Sequence, residues 1–371
     1  MTDIISSLVA PHMLQLKPYQ PGKPVEELER ELGITGAIKI ASNENPMGPS
    51  PKAMEAAAAA LPELHLYPDG AAYKLRDALA ARNEIAPNQL IFGAGSNELI
   101  YIAVQTFCRP GIDQVLTHKN AFISYRLASM GFNVEFVDAD INEDMSCDVD
   151  ALLAAVTERT RVLFLANPNN PTGAYVGTAE FERLLDGLPE HVIVVVDEAY
   201  HEYAIASDAD YPRSASYQSE TRPQLLTLRT FSKIYGMSGL RVGYGIGDPR
   251  VIDYMNRVRR PFNVNRVAQA AAVAALDDTD HVAQSAAAAR SGIAALTAAL
   301  TEVGVRPYPS LGNFLLVDVG REATAVYDLL LREGVIVRPM AAWGIPQHLR
   351  ISVGTPEQTV RVTDALKRVL G

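Results

Sequence analysis

The run Val192-Ile193-Val194-Val195-Val196 is apolar at every position and leads directly into Asp197-Glu198. Five consecutive residues of this kind specify a strand covered on both faces, which belongs at the centre of a mostly parallel sheet flanked by helices. Parallel neighbours need crossovers, so short strands and helices should alternate along the chain. They do so over 89–92, 114–117, 134–137, 162–166, 192–196, 225–229 and 242–246, with helix-like stretches between most of them. After about residue 262 the texture changes to Ala-rich helical segments, 267–276 and 282–303. Strand-like 314–317, 335–337 and 349–353 follow, then a closing helix that Thr355 should cap with Pro356 at its first position. The expected fold class is α/β: a large domain, 46–262, with a mostly parallel seven-stranded sheet flanked by helices, plus a smaller α+β domain. The smaller domain combines 263–371 with the N-terminal segment 1–45, which has too little sheet to stand alone and should lie across the cleft.

Composition removes several function classes. Lys and Arg number 33 against 43 Asp and Glu, a formal charge of −10 with no basic cluster, so a nucleic-acid partner is not expected. The longest apolar run, 270–276, is far short of the roughly 18 residues a bilayer span needs, so no membrane partner is expected either. Residues 1–16 carry no legible secretory leader. Cys108 and Cys147 form neither a disulfide framework nor a Cys-x-x-Cys metal spacing, and a reducing, cytoplasmic setting is expected.

The chemistry-bearing residues cluster where strands end. Gly93-Ala94-Gly95-Ser96-Asn97-Glu98 follows a strand and opens a helix, but Glu98 in the sixth place argues against a dinucleotide fingerprint. What remains is a tight turn or a helix N-terminus where the amides of Ser96 and Asn97 meet a single phosphate. Asp197-Glu198-Ala199-Tyr200-His201-Glu202 starts at the carboxyl end of the central strand, where open α/β sheets bind ligands. No second His stands at ligand spacing from His201, so a metal is not expected. Asp197 either caps a helix or needs a cationic partner in its buried place. Asn167-Pro168-Asn169-Asn170-Pro171-Thr172-Gly173 is a rigid turn, or a mount for the Asn170 amide. Thr230-Phe231-Ser232-Lys233 ends a third strand. A lysine there is an exposed loop charge, or an ammonium that is neutralised, paired or used covalently. Arg241, eight residues on, can meet an anion beside the hydroxyls of Thr230 and Ser232. Together these supply a Schiff-base lysine, a carboxylate for a pyridinium nitrogen, an amide and the Tyr200 hydroxyl for a phenolic oxygen, and a cup for one phosphate. Those are the contacts pyridoxal phosphate requires.

At this point the sequence resembles the fold type I pyridoxal-phosphate aminotransferases, specifically the histidinol-phosphate aminotransferase family, nearly end to end. The resemblance is carried by Pro18 to Gly22, Ser42-Asn43-Glu44-Asn45-Pro46, Leu66-Tyr67-Pro68-Asp69, Gly95-Ser96-Asn97-Glu98, Asn167 to Gly173, Asp197-Glu198-Ala199-Tyr200, Thr230-Phe231-Ser232-Lys233, Gly239-Leu240-Arg241 and Leu349-Arg350-Ile351-Ser352-Val353-Gly354-Thr355. It implies an aspartate-aminotransferase-like fold in which Lys233 bonds the cofactor and shuttles a proton while Asp197 partners the pyridine nitrogen. It further implies that Asn170 and Tyr200 hold the ring oxygen, and that Ser96, Asn97, Thr230, Ser232 and Arg241 hold the phosphate. Tyr67 would reach that phosphate from a partner subunit, which makes a homodimer with shared sites. Phe122 stands where the family usually has a tyrosine stacked on the cofactor ring, so stacking survives and a hydroxyl is lost. Arg350, with Arg338 and Tyr19 as helpers, would grip the substrate's anionic group. The implied reaction is ping-pong transamination between a small-molecule amino donor, histidinol phosphate, and a 2-oxo acid acceptor, 2-oxoglutarate, in histidine biosynthesis. The alternative on the same scaffold is an aromatic amino-acid aminotransferase, with a pyridoxal-phosphate decarboxylase as a sister chemistry. An NAD-dependent oxidoreductase would rest on the glycine turn alone, and a non-catalytic binding protein would have no use for Lys233.

Overall fold

The structure is a computed structural model that describes residues 4–16, 18, 22–207 and 209–370. Strands β1 (Leu90–Gly93), β2 (Gln114–His118), β3 (Glu135–Ala139), β4 (Thr160–Ala166), β5 (Ile193–Asp197), β6 (Leu225–Thr230) and β7 (Gly243–Gly247) form one sheet in the order β1-β7-β6-β5-β4-β2-β3. The expected mostly parallel seven-stranded sheet is present, and the apolar run lies in its central strand, with Val194, Val195 and Val196 at most 1% exposed.

β7 is the exception to the parallel arrangement, pairing antiparallel with both β1 and β6. Its direction decides the site. Gly243 at its start lies opposite both Gly93 and Thr230, so the residues leading into β7 share one sheet edge with the turns that leave β1 and β6. The same edge receives the ends of β4 and β5, because Asp197 is level with Ala166 on one side and Leu228 on the other. Gly243 is required there: a Cβ would fall 2.4 Å from the backbone nitrogen of Ser96.

The C-terminal part builds a four-stranded sheet from Arg338–Pro339, His348–Ser352, Phe314–Asp318 and Arg306–Pro307. Ile38–Lys39 of the N-terminal segment pairs in parallel with Val335–Ile336. The single strand expected over 335–337 is therefore two short ones, since the chain passes at Val337 from the pairing with Ile38–Lys39 to the pairing of Arg338–Pro339 with His348–Ser352. The closing helix, Pro356–Leu370, starts as expected, with Thr355 Oγ1 accepting from the Gln358 amide and the Gln358 side chain accepting from the Thr355 amide. Alanines at 268, 271, 272 and 275 let the helix Arg266–Leu276 pack closely on Pro51–Ala60. The 24-residue helix Thr279–Glu302 joins two cores, burying Ala286 and Ala289 with the large-sheet side and Leu296 and Leu300 with the C-terminal sheet. Among the described residues no helix is long and apolar enough to cross a membrane.

Candidate active site

A cavity of about 230 Å³ opens at the shared sheet edge. Every described candidate residue except Tyr67 lines it: Asn170, Asp197, Thr230, Ser232 and Lys233 from the ends of β4, β5 and β6, Ser96 and Asn97 from the turn after β1, and Tyr200, Phe122 and Arg241 beside them. Arg338 and Arg350 reach in from the C-terminal sheet. Tyr19 lies outside the described residues. Tyr67 is 79% exposed, its ring stacked on Phe262 at 4.8 Å, away from the cavity of its own chain.

Asp197 is the last residue of β5 and does not cap the following helix, His201–Ile205, whose cap position is Tyr200. Its Oδ2 accepts a hydrogen bond from the Tyr125 hydroxyl at 3.0 Å, while the buried Oδ1 has no partner among the described residues. Burial pushes its pKa up to about 6, against the Tyr125 hydrogen bond, which favours the charged form. Glu198, adjacent in sequence, points elsewhere and bonds Arg229 at 2.8 Å and the Ser214 amide at 2.9 Å. Although burial works against its charge, Arg229 and His201 hold its carboxyl well below the usual range. The acidic pair thus divides: one carboxylate anchors the fold and the other faces the cavity.

Lys233 Nζ donates to the Ser42 carbonyl at 3.1 Å and lies 5.8 Å from the Tyr200 ring centroid. Burial, assisted by the positive charge of Arg350, lowers its pKa to about 8. The Tyr200 hydroxyl accepts from Asn43 Nδ2 at 2.8 Å and keeps its own proton to donate, since burial raises its pKa to about 12. Arg350 donates through Nη1 to Asn170 Oδ1 at 2.5 Å and through Nη2 to the Ala41 carbonyl at 2.6 Å, tying the C-terminal sheet to the turn after β4.

At the other end of the cavity, Gly95 (φ +79°) precedes the helix Ser96–Phe107 and has no side chain with which to cap it, leaving the first amides for an anion. Glu98 does not crowd this end: it turns back to accept from the Ala94 amide and from Asn263, both at 2.7 Å. Arg241, held at φ +56°, donates to Ser232 Oγ at 3.3 Å and to the Ser238 carbonyl at 2.9 Å. A Cβ on Gly95 would stand 2.5 Å from Arg241 Nη2, so the glycine keeps the guanidinium in its cradle. The set fits a ligand with a cationic N–H at one end and a phosphate at the other: an unpartnered buried carboxylate oxygen faces the first, and a helix N-terminus, hydroxyls and a guanidinium face the second. Among the described residues no group of His, Cys, Asp and Glu stands close enough to hold a metal ion.

Three contributors carry no isolated sequence signal: Asn43, through its bond to Tyr200; Tyr125, through its bond to Asp197; and Trp343, which lines the cavity under Arg338, 5.5 Å from that guanidinium. Asn43 lies in one of the motifs quoted for the resemblance, and its positive φ of 56° is of the kind that asparagine tolerates.

Residues 35–366 match the family described as aminotransferase class I and II. The chain is 46% identical over 365 residues to a histidinol-phosphate aminotransferase of Anaeromyxobacter sp. (strain Fw109-5), covering 98% of this chain and 99% of that one. It is 46% identical over 372 residues to histidinol-phosphate aminotransferase 2 of Pseudomonas aeruginosa, covering 100% and 99%. Among solved structures it is similar to histidinol-phosphate aminotransferase from Sinorhizobium meliloti in complex with pyridoxal-5'-phosphate, with TM-score 0.88, 28% identity and 98% of each chain covered. It is also similar to an aspartate aminotransferase double mutant of Thermus thermophilus, with TM-score 0.84, 26% identity and coverage of 98% and 99%.

Proposed function

The chain belongs to the aminotransferase class I and II family, and on that premise we propose that it transfers the amino group of histidinol phosphate to 2-oxoglutarate, with pyridoxal 5'-phosphate as cofactor. The products are imidazole acetol phosphate and glutamate, and the setting is histidine biosynthesis. The observation that carries this reading is the 46% identity with histidinol-phosphate aminotransferases over essentially their whole length, which favours that donor over an aromatic amino acid.

In this reading Asp197 Oδ1 holds the ring nitrogen, Asn170 and Tyr200 the ring oxygen, and Phe122 covers the ring. Ser96, Asn97, Thr230, Ser232 and Arg241 hold the cofactor phosphate. When bound, the cofactor supplies an aldehyde that takes up the donor's nitrogen and a ring that accepts the electrons released when the donor's carbon loses a proton. Lys233 Nζ takes that proton as base and returns it as acid. Its pKa near 8 leaves on the order of a tenth of the amine neutral at pH 7, poised for both directions. Arg350, with Arg338 and Tyr19, orients the donor by its phosphate and the acceptor by its carboxylate, since a guanidinium suits both anions. The two substrates therefore use one site in turn, which is the basis of ping-pong kinetics.

The same proposal includes a cytoplasmic homodimer in which Tyr67 completes the partner's phosphate cup. It also includes a division into a cofactor-binding unit, 46–262, and a smaller unit of 1–45 with 263–371. The substrate assignment is tested by loading the purified protein with pyridoxal phosphate and adding histidinol phosphate, glutamate or phenylalanine separately, without an acceptor. Rapid loss of the visible cofactor band with the first two, and a slow response to phenylalanine, is expected. A faster response to phenylalanine would move the enzyme to the aromatic class, and absence of a visible band would remove the cofactor itself.

A further inference from the structure

We propose that Tyr125 is a positioning residue for the cofactor-binding carboxylate: its hydroxyl holds the rotation of the Asp197 carboxyl, with one oxygen engaged and the other facing the cavity. The inference rests on the pyridoxal-phosphate reading above and goes beyond it, because Tyr125 does not line the cavity.

Tyr125 sits on the helix Ile123–Gly131 and is fully buried. Its ring lies parallel to Phe164 of β4, with centroids 4.5 Å apart and planes within 2°, and meets Phe122 edge-on at 5.8 Å. Both contacts hold the ring, so the hydroxyl has one place to go, and there it donates to Asp197 Oδ2 at 3.0 Å. A carboxylate free to turn about its last bond would present either oxygen to a ligand. With Oδ2 engaged, Oδ1 is the one left without a partner among the described residues. One buried ring thus touches both the residue assigned to cover the cofactor and the residue assigned to its nitrogen.

The electrostatics point the same way. The titratable groups that face Asp197 are Tyr125 from its helix, Glu198 and Tyr200 from the chain after β5, and Lys233 from the chain after β6. Burial and the neighbouring Glu198 charge favour a protonated Asp197, whereas the Tyr125 hydrogen bond first, then the Ala199 amide and the charge of Lys233, favour the ionised form. Burial and the charge of Asp197 hold the Tyr125 phenol well above its ordinary value, so it remains a donor across the working range.

The test titrates pyridoxal phosphate into the apo-protein over a range of pH, for the parent chain and for Tyr125→Phe, which keeps the ring and its stacking. The variant is expected to bind about tenfold more weakly near pH 6.5, with the deficit narrowing towards pH 9, where Asp197 ionises without help. In an Asp197→Asn background the same change should alter affinity less than about twofold, because the partner it acts through is gone. A ring-difluorinated tyrosine introduced at Tyr125, the same shape with a stronger donor, should shift the profile the opposite way, and it decides the matter if the phenylalanine variant does not fold. Unchanged affinity, an equal loss at every pH, or an equal loss without the Asp197 carboxylate would overturn the proposal. Failure of the parent chain to bind pyridoxal phosphate is a different result and would overturn the cofactor reading on which it stands.

Discussion

At the scale of single residues, Asp197 and Lys233 are each placed where burial opposes their charge, one acid raised to about 6 and one base lowered to about 8. Such opposed shifts make acid-base work possible near neutral pH and burden the apo-protein. For an acid raised from 3.8 to about 6, the folded state binds the proton more tightly, so stability falls as the pH rises through that interval and the loss is complete above it. The shift corresponds to roughly 3 kcal/mol. Asparagine at this position would leave an unpaired amide costing about 1–3 kcal/mol. Asp197→Asn should therefore stabilise the apo-protein by about 1 kcal/mol at pH 8, and the gain should vanish near pH 4.5, where the parent carboxyl is already neutral. Urea unfolding of the apo-protein at the two pH values measures this, and equal differences at both would show that charge burial is not the cause. Lys233→Ala removes the proposed proton carrier without touching the proposed phosphate cup, so turnover should fall by at least about a thousandfold while pyridoxal phosphate still binds. Stopped assays combined with equilibrium dialysis separate these two effects. Asp197 and Lys233 were legible in the sequence because each stands at the end of a strand, and Arg241 because it lies in Gly239-Leu240-Arg241 eight residues beyond Lys233. Tyr125 was not, because a hydroxyl that acts across two elements leaves no mark on its own segment.

At the scale of elements, the cavity depends on how turns leave the sheet edge, and glycine sets the tolerances. Gly95 combines a φ of +79° with a Cβ site 2.5 Å from Arg241 Nη2. Gly95→Ala should strain the turn by about 1–2 kcal/mol and displace the guanidinium, weakening pyridoxal-phosphate binding by roughly ten- to a hundredfold. Titration of the apo-protein would show the loss, and an unchanged affinity would mean that Arg241 is not part of the cup. In the large sheet strand existence was readable from β-branched runs, with boundaries misplaced by a residue or two at strand ends, whereas the two-residue strands Ile38–Lys39 and Arg306–Pro307 were not expected. Direction was not readable, because periodicity is the same for parallel and antiparallel strands. β7 therefore carries the main surprise of the large sheet: only its reversed course sets Arg241 beside Ser232. The division of 335–337 between two pairings was hidden for the same reason, since pairing partners are remote in sequence.

At the scale of the whole molecule, the site is assembled from both ends of the chain. Asn313 donates to the carbonyls of Asn43 and Glu44, Ser352 bonds Asn43, and Arg350 reaches the Ala41 carbonyl, so the N-terminal segment is clamped between the C-terminal sheet and the cavity. One candidate stays outside this assembly. Tyr67 presents a largely exposed ring beside exposed Phe262, Leu64 and Leu66, an apolar surface of the sort that oligomers cover. If Tyr67 serves the partner's site in a two-fold dimer, lesions at Tyr67 and Lys233 fall in different sites when carried by different chains. Mixing Tyr67→Ala with Lys233→Ala under conditions that exchange subunits gives heterodimers in which one site carries both lesions and the other carries neither. With equal amounts and random pairing, half the dimers are mixed and half of their sites are intact, so about a quarter of the parent activity should return. If Tyr67 served its own chain, or only the fold, every site in the mixture would keep one lesion and activity would stay at the level of the two variants measured separately. Sedimentation of the same mixture distinguishes that result from a failure to exchange.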